Sequence, residues 1–230
     1  MLGTIVNSLA IIIGGMLGVM FRNGLRERFK ETIMQGLSLS VIVIGLMGAL
    51  KAENILLVII SIVIGSIIGE AVKIEQKLNS LGDFIESKVK GDSNVSRGFV
   101  TTSLIYCVGA MAIVGALESG LTGNHETLFA KSILDGISSI IFSSTLGIGV
   151  VFSSISVFIY QGVITLLASS LKTLLTDAVV TEMSAVGGIL IMGIGFNILE
   201  VKKIKIGNML PAVFIPIIYY ALKLLYFNII

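Results

Sequence analysis

Met1-Leu-Gly-Thr-Ile-Val-Asn-Ser-Leu-Ala-Ile-Ile-Ile-Gly-Gly-Met-Leu-Gly-Val-Met-Phe21 carries no formal charge anywhere along its length. A helix needs ~20 mostly apolar residues to cross the hydrocarbon core of a bilayer, so this stretch reads as a membrane span. No basic segment precedes it, no Ala-x-Ala-type site follows it, and Arg22 and Arg26 come next. The expectation is a retained first span rather than a cleaved signal peptide. The same criterion marks Thr32 to Leu50, Asn54 to Gly69, Gly98 to Leu117, Met183 to Leu199 and Ile206 to Leu222. The uncharged run from Gly136 to Leu171 is too long for one span and holds most of two. Their break is expected near Gly147-Ile-Gly149, where glycines loosen a helix, and the fifth span then begins near Leu128. The pattern predicts an all-α polytopic transmembrane bundle of about eight spans, in one integral membrane domain covering residues 1–230.

Composition agrees. The chain is 55% hydrophobic and 13% charged, with a mean hydropathy of +1.02, whereas soluble domains carry about 25% charged residues. A net charge of +2 without any basic run sets nucleic acid aside as a partner and leaves the lipid bilayer. One cysteine, Cys107, and one histidine, His125, cannot build a zinc-type Cys/His pattern, and Cys107 reads as a buried structural thiol. No cofactor is expected. The metalloprotease, nucleophile-elbow and phosphate-cradling motifs are missing from the sequence, so the expectation is a protein that is not an enzyme. With no Trp, the interfacial aromatic belts fall to Tyr106, Tyr160, Tyr219, Tyr220 and Tyr226.

Lys and Arg content orients the spans. Arg22, Arg26, Arg28 and Lys30 follow the first span, Lys73, Lys77, Lys88, Lys90 and Arg97 the third, and Lys202, Lys203 and Lys205 the seventh. Eight spans put all three basic loops on the cytoplasmic side and both termini outside. Seven would put the last basic loop on the wrong side. Within the loop of about 73–97, Ile74, Leu78, Leu81, Ile85 and Val89 recur at helical spacing, which predicts an amphipathic helix in the cytoplasmic interface. Gly91-Asp-Ser-Asn94 reads as its stop.

Spans one and two align without gaps on spans six and seven. Gly3, Ser8, Ile13, Leu25 and Ser38 fall on Gly149, Ser154, Ile159, Leu171 and Ser184, and Glu31 falls on Asp177. The two sets would run in opposite directions, as in the inverted repeats of secondary transporters. Apolar sequences match easily, so the alignment alone leaves the duplication open.

Charge inside a span is costly and marks function by default. Lys131 and Asp135 stand at i, i+4 on one face of the fifth span, where they can pair. Glu118 ends span four and Glu182 opens span seven, so three helices offer acids to one outer vestibule. Ser138 and Ser139 belong to a serine-rich stretch beside Asp135, and Gln161 adds an amide on span six. Together Asp135, Lys131, Glu118, Glu182, Ser138, Ser139 and Gln161 form the expected solute or ion pathway. The bland alternatives are a snorkelling ion pair, solvated helix ends and serines gluing helices. Gly14-Gly-Met-Leu-Gly18 and Gly65-Ser-Ile-Ile-Gly69 are spaced for close helix packing, while the glycines of span seven signal either flexibility or tight packing. Pro211 and Pro216 are placed to kink the last span.

Four stretches carry a family resemblance: Tyr106-Cys-Val-Gly-Ala-Met-Ala-Ile-Val-Gly-Ala-Leu-Glu-Ser-Gly-Leu121, Ala130-Lys-Ser-Ile-Leu-Asp-Gly136, Tyr160-Gln-Gly-Val-Ile-Thr-Leu-Leu-Ala168, and Glu182-Met-Ser-Ala-Val-Gly-Gly188 with Gly207-Asn-Met-Leu-Pro-Ala212. The chain resembles, over essentially its whole length, the YdfK/YqgA-type group of prokaryotic membrane proteins, a domain-of-unknown-function family (number 554). The resemblance implies a prokaryotic inner-membrane protein and transfers no activity or catalytic residue. The reading is a secondary transporter or permease of an ion or small polar solute. A non-transport scaffold or sensor, or an oligomeric channel, is the alternative, and homo-oligomerisation stays open.

Overall fold

The computed structural model describes residues 1–22, 26–89, 94–172 and 174–229, and all regular structure among them is helical. The chain runs through α1 (Leu2–Arg22), α2 (Glu27–Ala49), α3 (Ile55–Val72), α4 (Ile74–Lys88), α5 (Val95–Val108), α6 (Ala110–Leu121), α7 (Glu126–Leu146), α8 (Gly149–Leu166), the short α9 (Ala168–Leu171) and α10 (Asp177–Ile198). A broken last column follows: α11 (Ile206–Met209), a 3-10 turn over Leu210–Phe214 with Pro211 as its second residue, and α12 (Ile215–Ile229).

Six helices among the described residues are long and apolar enough to cross a membrane, and a seventh counts where the α5–α6 pair, bent by 60°, is taken as one broken span. The expected eighth, α7, is the difference from the sequence reading. It spans 21 residues, but Lys131, Asp135 and its serines make it more polar than the others. Packing resolves the conflict. Its polar side faces inward, while Ile133, Leu134 and Ile137 on the opposite side are more than half exposed, a face suited to lipid. The expected break near Gly147 is the turn between α7 and α8, where Gly147 takes φ 78, a value that glycine adopts at no steric cost.

Glycines set how the helices meet. Gly3, Gly14 and Gly18 of α1 lie against Leu128, Gly136 and Ile140 of α7, so the two run parallel in close contact. Gly45 and Gly48 of α2 lie against Gly188 and Ser184 of α10, which therefore runs antiparallel. Gly65 and Gly69 of α3 meet Ala212 and Asn208. Small residues let backbones approach where lipid supplies no hydrophobic drive. The glycines of α10 are thus packing contacts, and this helix is the hub, with 78% of its apolar window buried.

These contacts bear on the internal repeat. α1 lies antiparallel to α8, with Gly15 on Val151 and Met1 on Gly162; α2 to α10; and α3 to the last column. The two aligned pairs, α1 with α8 and α2 with α10, therefore pack antiparallel against each other, an arrangement compatible with an inverted duplication. The aligned Ser38 and Ser184 also behave alike. Each hydroxyl bonds back to the carbonyl four residues earlier, Met34 and Val180 respectively. Each backbone carbonyl faces a glycine across the helix pair, Gly195 and Gly48.

The three basic loops meet at one end of the bundle. Arg97 bridges Glu200 at 2.8 Å, Lys205 bridges Glu70 at 2.8 Å, and Lys30, Arg97 and Glu200 line one cleft of about 670 Å³. α4 lies there, entered through Lys73 at φ 57 and packed with Gly82 against Ser96 of α5. Of its expected apolar stripe, Leu78 packs on the core, whereas Leu81 is 48% exposed beside Phe84 at 60%. Residues 91–93 of the expected stop, and the side chain of Tyr226, lie outside the described residues.

Candidate functional site

α7 brings its two charges together as the i, i+4 spacing requires. Lys131 Nζ donates to both Asp135 oxygens, at 2.9 and 2.7 Å, and each side chain is under a tenth exposed. At a rise of 1.5 Å per residue, Lys131 lies roughly 8 Å and Asp135 roughly 14 Å from the start of α7. A buried ion pair is stable only if further hydrogen bonds satisfy its remaining lone pairs. One such bond comes from α1, where Asn7 Nδ2 donates to Asp135 Oδ2 at 3.0 Å. Asn7 has no exposed surface. Its Oδ1 is buried without a partner, and turning the amide over would set that oxygen against a carboxylate.

α5 supplies the third wall. The Tyr106 hydroxyl hydrogen-bonds Ser139 at 2.9 Å and accepts from Ser138 at 3.1 Å, and Lys131 Nζ lies 5.8 Å from the centre of its ring. Tyr106 is 2% exposed. The aromatic expected at the membrane interface is thus a core residue, held three positions before the bend at Gly109.

Other buried polar atoms without partners lie on neighbouring helix faces. Thr4 Oγ1 and Ser8 Oγ flank Asn7 on α1, and Ser143 Oγ lies on α7. On α8 both amide atoms of Gln161, and Thr165 Oγ1 one turn on, have none. The α1–α8 register, Met1 on Gly162 and Gly15 on Val151, puts Gln161 level with Thr4. Native interiors leave few buried polar groups unpaired, and those that exist mark function or bound water or ions.

The structure does not join the two remaining acids to this seam. Glu118 Oε2 accepts from Thr127 at 2.6 Å, fastening α6 to α7. Glu182 is 1% exposed, and its Oε1 accepts from the amides of Glu53 and Asn54 at 3.2 and 2.8 Å. That carboxylate anchors the start of α3, where free N–H groups and the helix dipole favour negative charge. Among the serines, Ser132, Ser144 and Ser153 bond back to their own helix carbonyls, as helix-bound serines commonly do. Asn197 ties down the loop at Ile204 from both ends of its amide, and Asn208 holds Glu70 and the Glu75 amide. His125 contacts Ser119 and Phe129, and Cys107 is a free, partly buried thiol. At the basic end the Glu70 carboxylate, bonded and close, holds the exposed Lys205 ammonium above the usual lysine range. No group of three metal-ligating side chains occurs among the described residues.

Asn7 and Tyr106 were missing from the expected site. Only the unusual placing of an amide and a phenol in uncharged spans signalled them.

The family model for "Protein of unknown function (DUF554)" matches residues 2–221. The chain belongs to this family. It is 32% identical over 220 residues to the "Uncharacterized membrane protein YdfK" of Bacillus subtilis (strain 168), covering 94% of both chains. It is 30% identical over 217 residues to the "Uncharacterized protein YqgA" of Escherichia coli (strain K12), covering 92% of both. No solved structure matches it. Family membership and six to seven apolar spans make it a helical membrane protein.

Proposed function

We propose that this protein is a secondary transporter or permease for an ion or small polar solute, with no catalytic chemistry of its own. The observation that carries this reading is the Lys131–Asp135 pair, buried between α1 and α7 beside a bent helix, with Asn7 Oδ1 left unpaired. A purely structural pair would be expected to satisfy all its neighbours. This one sits among unpaired oxygens on α1, α7 and α8, which suits a surface that is polar in use. The antiparallel pairing of counterpart helices supports an inverted repeat, whose halves can rock about a fixed site.

The basic end faces the cytoplasm by the positive-inside rule, which with eight spans puts both termini and the start of α7 outside. For a member of a bacterial family this implies the cytoplasmic membrane.

The test is a thermal-stability screen of detergent-purified protein against amino acids, small organic acids and inorganic ions, followed by uptake of any hit into proteoliposomes. A ligand of the folded state adds about 2.7 kcal/mol of stability at a hundred times its Kd. The expected result is a hit that crosses the vesicle membrane with wild type and not with the neutral double variant K131M/D135L. A folded wild type that no solute stabilises, or a hit that binds without crossing, would move the function to a scaffold or sensor. That reading would centre on the open cleft of about 710 Å³ between α4, α5 and the end of α10.

A further inference from the structure

The seam around Asp135 has a defined chemical taste. Every partnerless atom on α1 there is an oxygen: Thr4 Oγ1, Asn7 Oδ1 and Ser8 Oγ, at positions i, i+3 and i+4 on one helix face. Spacings of three and four place side chains side by side on a helix. Asn7 Oδ1 is on the same planar amide that grips Asp135, so an acceptor without a donor sits next to a carboxylate. Carboxylate, amide and hydroxyl oxygens are hard ligands and suit hard cations.

Charge narrows the choice. Asp135 is the one acid in the seam, and Lys131 already neutralises it. Divalent ions such as calcium take six to eight oxygens, commonly with several carboxylates, and the described residues offer no acidic cluster. A monovalent ion fits one carboxylate and neutral oxygens.

Lys131 then has a role beyond structure. It occupies the position that a free cation would take at Asp135. A second resting place lies close by, since the face of the Tyr106 ring is 5.8 Å from Nζ and aromatic faces attract ammonium groups.

We infer that Asp135, Asn7 and the hydroxyls of Thr4 and Ser8 form a site for a small monovalent cation of the sodium class, for which Lys131 is a tethered competitor. Binding moves Lys131 from Asp135 to the Tyr106 ring, and release lets it return. The empty site is thereby kept neutral, so an unliganded carboxylate is never left in the bundle. The ion's place as coupling ion rests on the transport reading above, but its binding does not.

The experiment is melting of wild type, N7A, K131M and K131M/D135N in detergent. Sodium, lithium and potassium chloride are each titrated against N-methyl-D-glucamine chloride at constant ionic strength and pH. Sodium or lithium should raise the wild-type melting temperature saturably, with potassium weaker. K131M, freed of its competitor, should reach half-saturation at a cation concentration at least tenfold lower and show the larger rise. The double variant should not respond. N7A, which keeps the ion pair, should need a severalfold higher concentration than wild type.

If wild type and K131M ignore all three cations, or respond only to pH, the cation site is wrong. Should K131M fail to fold, an N7A titration superimposed on wild type would overturn it equally. Sodium binding without flux of any solute would sink the transport reading and spare the site. Solute flux indifferent to sodium would do the reverse.

Discussion

Two helix pairs in this bundle use the same packing device and differ in what they enclose. α1 meets α7 through Gly14 and Gly18, and α2 meets α10 through Gly45, Gly48 and Gly188. Both bring backbones together as glycine-lined membrane helices do. Along its length the α2–α10 seam encloses apolar side chains and serines that bond back into their own helices, and its one buried acid, Glu182 at the end, spends one oxygen on the Glu53 and Asn54 amides and leaves the other without a partner. The α1–α7 seam encloses an ammonium, a carboxylate, an amide and several oxygens without partners. Close packing therefore explains the glycines in both places and the polar groups in neither. Buried charge in a membrane span is costly and marks a functional site by default, so the difference between the seams is the ground for the proposed site on α1 and α7.

The largest effect should come from splitting the charge pair. D135N leaves Lys131 buried without its counterion, and losing one partner of a buried pair costs about 3–5 kcal/mol. K131M/D135L removes both charges and should stay within about 1 kcal/mol of wild type while losing transport. Melting of the single and double variants side by side reads this directly. A single variant as stable as the double would mean that the seam is wet and the pair unstressed.

Next comes the apolar seam. G188L drives a side chain into the α2 backbone at Gly45–Ala49, and overpacking costs about 1–3 kcal/mol. It should lower stability without changing any ligand's half-saturation in the folded fraction. An affinity change at constant stability would show that the two seams are coupled.

Much of this contrast was legible in the sequence, and the reasons differ by residue. Lys131 and Asp135 are four apart, so helix geometry alone joins them. Gly14 and Gly18 are equally local. Asn7 lies 128 positions from Asp135, and only the α1–α7 packing brings them together. Tyr106 looked interfacial because tyrosines usually are, but its two serine partners stabilise the hydroxyl at depth. Glu182 reads in the sequence as an acid opening span seven at the outer vestibule, with a solvated helix end as its alternative. Its use at the α3 N-terminus depends on where the Glu53–Asn54 turn lands, which no local pattern encodes. α7 falls short of the hydropathy of the other spans for a physical reason as well, because hydropathy averages around a helix while burial sorts its two faces.

A smaller effect tests the third wall. Y106F removes one hydroxyl and its bonds to Ser138 and Ser139, worth about 0.5–1.5 kcal/mol for a typical hydrogen bond. The ring face beside Lys131 is kept, so cation affinity should hold while stability falls slightly. Y106L, which removes the ring, should also shift the cation half-saturation.

The smallest expected effect lies at the basic end, where α10 leaves the bundle, and it supplies a control for both seams. Glu200 combines two opposing features: it bridges Arg97 at 2.8 Å and sits at φ 59, a conformation that favours glycine. The bridge is solvent-exposed, and such pairs are worth about 0–1 kcal/mol and weaken with salt. The left-handed backbone costs a non-glycine residue roughly 1–2 kcal/mol. E200A loses the bridge and keeps the strain, so it should be slightly destabilised. E200G loses the bridge and sheds the strain, partly offset by the greater freedom of glycine in the unfolded chain, so it should equal or exceed wild type. Paired melts at low and high salt separate the two terms. The bridge contribution should shrink with salt, and the gap between Gly and Ala should not. If E200A instead altered ligand half-saturation as strongly as the α1–α7 variants do, the basic end would be part of the pathway, and the functional contrast between the two seams would no longer stand on its own.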